Sequence, residues 1–154
     1  MQPLVGMGNY VIKLEPGVVA RNFDTFGHYL EQALPTGGKK HPFQRGNLLA
    51  AILSGTYECW VLYSIEGRQS GISAVALTSI AGDPVLGSAE LVIVALTAIR
   101  GIGMKAANEG MDYLREYARS KGCSAVTMRT ELPSVGKMFK SLGGKLSLIG
   151  SIEV

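Results

Sequence analysis

The sequence predicts an α/β (α+β) domain: one central mixed, twisted sheet flanked by helices. Three observations predict it. The run Leu91-Val92-Ile93-Val94-Ala95-Leu96 is apolar on both faces of a strand, which places it inside a covered sheet. A helix with a sharp apolar stripe follows that strand directly. The remaining segments alternate between periods of two and of three to four, in the order β-α-α-β-β-β-α-β-α-β.

The elements follow in chain order. Residues Asn9 to Leu14 alternate loosely and read as a first strand, ended by the turn residues Glu15-Pro16-Gly17. From Asn22, Phe23, Phe26, Leu30 and Ala33 share one helical face, and Pro35 stops the helix. A loop is expected over Thr36 to Pro42. Leu48, Leu49, Ile52 and Leu53 then support a second helix over Asn47–Leu53, closed by Gly55. Three strands are expected next, at Tyr57–Glu66, Gly71–Ile80 and Ser88–Ile99, with turns at Gly67 and Gly82-Asp83-Pro84.

After Gly103, residues Met104, Ala107, Met111, Leu114 and Ala118 repeat at helical spacing, while Lys105, Glu109, Asp112, Glu116 and Arg119 take the wet side. Lys121-Gly122 ends that helix. Ala125 to Thr130 reads as a strand. Pro133 opens a short helix with Val135, Met138, Phe139 and Leu142 on one face, and Gly143-Gly144 closes it. Leu146 to Val154 is expected to form the last strand.

A chain of 154 residues fits one domain, 1–154, and can bury roughly 70% of its unfolded surface. Hydrophobic residues make up 47% and charged ones only 18%, which excludes a disordered chain. A net charge of +3, with scattered basic residues and no interleaved aromatics, gives no ground for a nucleic-acid partner. No basic segment precedes an apolar stretch, and Leu91–Ile99 is too short to span a bilayer, so neither a secretory signal nor a membrane is expected. Cys59 and Cys123 lack metal or redox spacing and read as buried thiols. His28 and His41 have no partner at ligand spacing, so no metal site is expected.

The segment with chemistry in it is Arg100-Gly101-Ile102-Gly103-Met104-Lys105. A strand that runs through a Gly-containing turn into a helix can present backbone N–H groups to a phosphate, and Arg100 adds a charge-assisted donor. The plain alternative is an ordinary turn in which glycine serves backbone angles alone. Glu90, at the start of the central strand, is the candidate general base, against a solvated strand-end carboxylate.

The order of elements resembles the GCN5-related N-acetyltransferase (GNAT) fold over essentially the whole chain. Arg100-Gly101-Ile102-Gly103 resembles the family's pyrophosphate-binding turn, Gly122-Cys123 the end of the following helix, and Phe139–Gly143 the last conserved segment. The resemblance implies acetyl-CoA as cofactor if the chain is catalytically competent, held by residues Arg100 to Lys105, with Glu90 as base. Four positions depart from it. Lys105 stands where Gly or Ala is usual, Phe139 replaces the Tyr that protonates the leaving thiolate, Gly144 replaces an aromatic, and Glu131-Leu132-Pro133 lacks the usual Asn.

A narrower resemblance is to small GNAT-like proteins of tailed bacteriophages, carried by Ile52-Leu53-Ser54-Gly55, Cys59-Trp60-Val61, Ser120-Lys121-Gly122-Cys123 and Leu142-Gly143-Gly144. It implies a phage protein, made in the host cytoplasm, that serves in the virion or its assembly. With the departures above, the leading expectation is a non-catalytic structural or interaction component with a degenerate acyl-CoA site. The alternative is an acyl-CoA-dependent N-acyltransferase that moves an acetyl group to an amine. The first reading expects self-association or binding to virion and assembly proteins through the aromatic strand Tyr57–Tyr63 and the loop Lys39–Phe43.

Overall fold

The structure is a computed structural model that describes residues 8–34, 45–66, 68–130, 133–147 and 152. Its elements are β1 (Gly8–Lys13), α1 (Pro16–Arg21), α2 (Phe23–Ala33), α3 (Arg45–Leu53), β2 (Glu58–Glu66), β3 (Gln69–Asp83), β4 (Ser88–Ala98), α4 (Met104–Ser120), β5 (Ala125–Met128) and α5 (Pro133–Ser141). The five strands form one sheet in the order β1-β2-β3-β4-β5. The first four pair antiparallel, and β4 pairs with β5 in parallel, so the sheet is mixed as expected. A parallel pair needs a long crossover, and α4 supplies it.

Strand alternation divides the interior into two cores. Cys59 and Val61 of β2 face Phe26, Leu30, Leu48 and Ile52 of the early helices. Trp60, between them, faces Met111, Leu114 and Ala118 of α4. The central run is buried as predicted, with Leu91 0% and Ile93 2% exposed. Its alternation breaks once. Leu77 pairs with Ala95 but Thr78 pairs with Ile93, which leaves Val94 as an extra residue in β4. Leu91 and Ile93 therefore face α4, Ala95 faces the early helices, and Leu96 returns to the α4 side.

A polar network locks α4 to the sheet. Glu58 on β2 pairs with Lys13 on β1 at 3.0 Å and accepts a hydrogen bond from the Tyr117 hydroxyl on α4. Burial, then the neighbouring Glu58, pushes the Tyr117 hydroxyl pKa up, and the Glu58 hydrogen bond raises that of Lys13. At the other end of β2, Ser73 donates to Ser64 and Ser64 to Asn9, both at 2.8 Å, and Asn9 donates to Glu109 on α4 at 3.2 Å.

Several expectations are corrected. Glu15-Pro16-Gly17 is not a terminating turn but the start of α1: Pro16 occupies the first turn, where its missing N–H costs nothing, and Val18 and Val19 bond back to the Glu15 carbonyl. The β3–β4 turn comes later than Gly82-Asp83-Pro84. Asp83 ends β3, its side chain accepts from the Val85 and Leu86 amides, and Gly87 takes the left-handed conformation at φ +65°. β5 stops at Met128, short of Thr130. Leu146, Ser147 and Ile152 carry no strand pairing; the rest of the expected terminal strand lies outside the described residues, as does the loop Thr36–Pro42.

The aromatic docking strand is also corrected. β2 is flanked by β1 and β3, and Trp60 is 2% exposed, so its indole is a core group rather than a surface anchor. The loop Lys39–Phe43 lies outside the described residues. No helix among the described residues is long and apolar enough to cross a membrane.

Candidate functional site

The site begins where two strands part. β4 and β5 pair from Glu90 with Ala125 to Ile93 with Met128, and the last contact is the Arg129 amide to the Ile93 carbonyl at 3.4 Å. Val94, the bulged residue, comes next. From there β4 runs on to Ala98 with no strand on that side among the described residues, since β5 ends at Met128. A bulge at such a point disrupts the ladder and re-aims the strand.

β4 leads straight into the glycine turn. The amides of Ile99 and Arg100 both bond to the Ser73 carbonyl, at 2.8 and 3.4 Å, which ties the strand end to β3. Gly103 then caps α4 in an extended conformation, φ −72° and ψ 165°, with no side-chain cap and no acidic residue in the first turn. The first amides of a helix have no intrahelical acceptor, and here no side chain supplies one. The positive end of the helix dipole is thus left open to an anion.

The glycines of this turn separate the two readings of it. Neither Gly101 nor Gly103 has a positive φ, so neither is needed for an unusual backbone angle. A Cβ added at either would meet none of the described residues within 4 Å. No packing or conformational demand of the fold accounts for them, whereas a cradle for a ligand would lose its space to a side chain. The pyrophosphate of a CoA-type cofactor fits that arrangement.

Arg100 is exposed, and its guanidinium lies back over β3, where Nη2 would stand 2.5 Å from a Cβ on Gly71. Ile102 is half-buried and turns toward the interior; Met104 and Lys105 are exposed on the first turn of α4. Glu90 is exposed at the other end of β4, opposite Ala81 and Ala125. Four residues of strand, roughly 13 Å, separate it from Val94. The structure thus gathers residues 100 to 105 at one turn and leaves Glu90 away from it, nearer the bulge.

Beneath the turn lies an apolar cleft of about 90 Å³ between the sheet and α4. Ile102 and Met128 stand at the parting end, and Ala107 and Gly110 form the helix side. No charged side chain lines it. Sequence reasoning had Ala107 on the inner face of α4 but passed over Gly110; its one available signal was a glycine in the middle of a strongly amphipathic helix.

One of the departures noted in the sequence, Gly144, has a local cause. Phe139 is half-buried in the α4-side core, and its ring stands 2.2 Å from where a Cβ on Gly144 would sit. The Gly144 amide also bonds to the Phe139 carbonyl at 3.0 Å. Glycine at 144 is therefore required by Phe139. Tyr117 is held by Glu58 thirteen residues along α4 from Met104, roughly 20 Å from the turn. The phage-type motifs likewise serve the fold: Cys59, Trp60 and Val61 are core residues, and Gly55, Gly122 and Gly143 take positive φ where helices end.

Among the described residues no cluster of His, Cys, Asp or Glu could hold a metal ion. No family model and no curated protein sequence matches the chain. Solved structures do. A probable acetyltransferase superimposes with a TM-score of 0.66 at 9% identity, covering 94% of this chain and 96% of its own. The ribosomal-protein-alanine N-acetyltransferase of Brucella melitensis biovar Abortus gives 0.65 at 16% identity, over 96% and 98%. A GNAT family acetyltransferase of Staphylococcus aureus gives 0.60 at 10% identity, over 96% and 98%. At such identities the likeness shows the fold: the chain has the GNAT fold, and its structural neighbours are acetyltransferases. None of these findings supports a phage origin.

Proposed function

We propose that the protein is an acyl-CoA-dependent N-acyltransferase. The observation that carries this reading is the open glycine turn at Gly101 and Gly103, set at an uncapped helix start beside the parting of β4 and β5. Backbone amides from Ile102 to Lys105 would hold the pyrophosphate, with charge from Lys105 and, once its guanidinium swings off β3, from Arg100. The thioester supplies an activated acyl carbon with a good leaving group. An amine nitrogen bonds to that carbon as the C–S bond breaks; the amine's proton passes to a base, and the thiolate takes a proton from water.

Glu90 is the sole titratable side chain of β4 and stands exposed upstream of the bulge. As the base it would take the amine's proton along a chain of waters, not directly, across the roughly 13 Å of strand between them. Phe139 cannot donate a proton, and Tyr117 is committed to Glu58, so protonation of the thiolate is left to solvent. Loss of a positioned acid lowers a rate by about 10²–10⁴ without abolishing transfer. The acetyltransferase neighbours and the packing of Gly144 against Phe139 support this reading over that of a non-catalytic virion component.

Calorimetry with acetyl-CoA tests the reading. Binding by the unmutated protein and its loss in Gly103→Glu are expected. An absence of binding at millimolar acetyl-CoA overturns it.

A further inference from the structure

The cleft under α4 crosses the sheet. Its floor draws on all five strands, among them Ile93 of β4, Ala76 of β3, Trp60 of β2 and Val11 of β1. Small side chains open it, Ala76 below and Ala107 and Gly110 above. Its parting end, at Ile102 and Met128, adjoins both the glycine turn and the end of β5. Ile93 and Met128, the last paired residues of β4 and β5, set one end of the cleft beside the bulge. There the acyl-CoA reading would put the thioester, once the pantetheine arm has run from the turn along β4. The walls are apolar along their length.

We propose that the acyl group used by this protein is longer than acetyl: an unbranched, uncharged chain of four or five carbons whose tail lies in this cleft. The inference rests on the acyl-CoA reading above. An apolar cavity of about 150 Å³ accommodates the six carbons of benzene, or about 25 Å³ per carbon. By that scale 90 Å³ takes three to four carbons beyond the carbonyl. Acetyl offers one and leaves most of the cleft unfilled. Each added methylene that is buried favours binding by about fourfold, so butyryl-CoA gains roughly 15-fold over acetyl-CoA. Octanoyl-CoA overruns the cleft and loses that advantage.

Calorimetry with CoA, acetyl-CoA, butyryl-CoA and octanoyl-CoA provides the test. The expected result is measurable CoA binding, with affinity highest for butyryl-CoA. Gly110→Leu fills the cleft and brings the butyryl-to-acetyl ratio near one. Should that variant fail to fold, Gly110→Ala reads the same ratio with a smaller drop; its new methyl meets only Val11 Cγ2 at 4.0 Å. If CoA and acetyl-CoA bind but butyryl-CoA binds no better, the chain-length inference is overturned and the acyl-CoA reading stands. If no CoA species binds, both fall.

Discussion

Trp60 and Thr78 close a hydrogen bond across neighbouring strands, the indole Nε1 donating to the threonine hydroxyl at 2.8 Å. The two residues are 2% and 0% exposed, so neither group has water as a substitute. Thr78 also sits opposite Ile93, at the point where the β4 bulge begins. One buried bond therefore steadies both the cleft floor and the strand that opens the site.

Thr78→Val removes the acceptor and leaves a buried indole N–H unpaired. A loss of about 1–3 kcal/mol in unfolding free energy is expected by urea titration. Adding Trp60→Phe removes the orphaned donor, so the double variant should lose less than the sum of the two single ones. Strict additivity would show that the bond contributes nothing.

Acetyl-CoA at a hundred times its dissociation constant should stabilise the protein by about 2.7 kcal/mol. For a domain of this size that is a rise of about 5–10 °C in Tm. Gly103→Glu sets a carboxylate in the phosphate cradle and should abolish the rise while leaving the unliganded Tm nearly unchanged, because the added side chain enters open space.

Gly144→Ala should destabilise by about 1–3 kcal/mol, since its methyl would overlap the Phe139 ring and approach the Phe139 carbonyl to 2.8 Å. Combined with Phe139→Ala, the same change should cost less than on its own, because the ring overlap is gone while the contact with the residue-139 carbonyl remains. Equal costs in both backgrounds would break the link between these positions.

Burial pushes the Cys59 thiol from 9.0 up to about 12. The folded protein holds that proton more tightly than the unfolded chain. Below pH 9 the thiol is neutral in both states; as the pH climbs toward 12 the unfolded chain ionises first, which lowers stability by up to about 4 kcal/mol. Tyr117 and Lys13 are raised as well and act in the same direction. Unfolding free energy measured from pH 8 to 11 should fall, and less steeply in Cys59→Ala.

The long elements were legible because their periodicity is strong: the inner stripe of α4 and the two-faced run of β4 both lie where the sequence put them. α1 was hidden because Pro16-Gly17 carries the same residues as a turn, and only tertiary burial of Val19 turns it into a helix. The glycine turn was visible as a motif. Its meaning depended on φ and on neighbouring space, which a sequence does not hold. The Val94 bulge is a property of register between strands, and no residue type marks it. Trp60 could be read as packing or as a surface anchor, because strand alternation shows that a residue faces one side but not what covers that side; α4 covers it.

The two cores share no side chain; the sheet lies between them as a partition, with the early helices on one side and α4 and α5 on the other. Substitutions on opposite sides touch different neighbours and should add nearly independently. Inheritance can therefore rewrite one side while the other stays under its own constraint. A lineage could change the early helices many times over and keep the same glycine turn, and an engineer could graft new early helices onto it by the same logic.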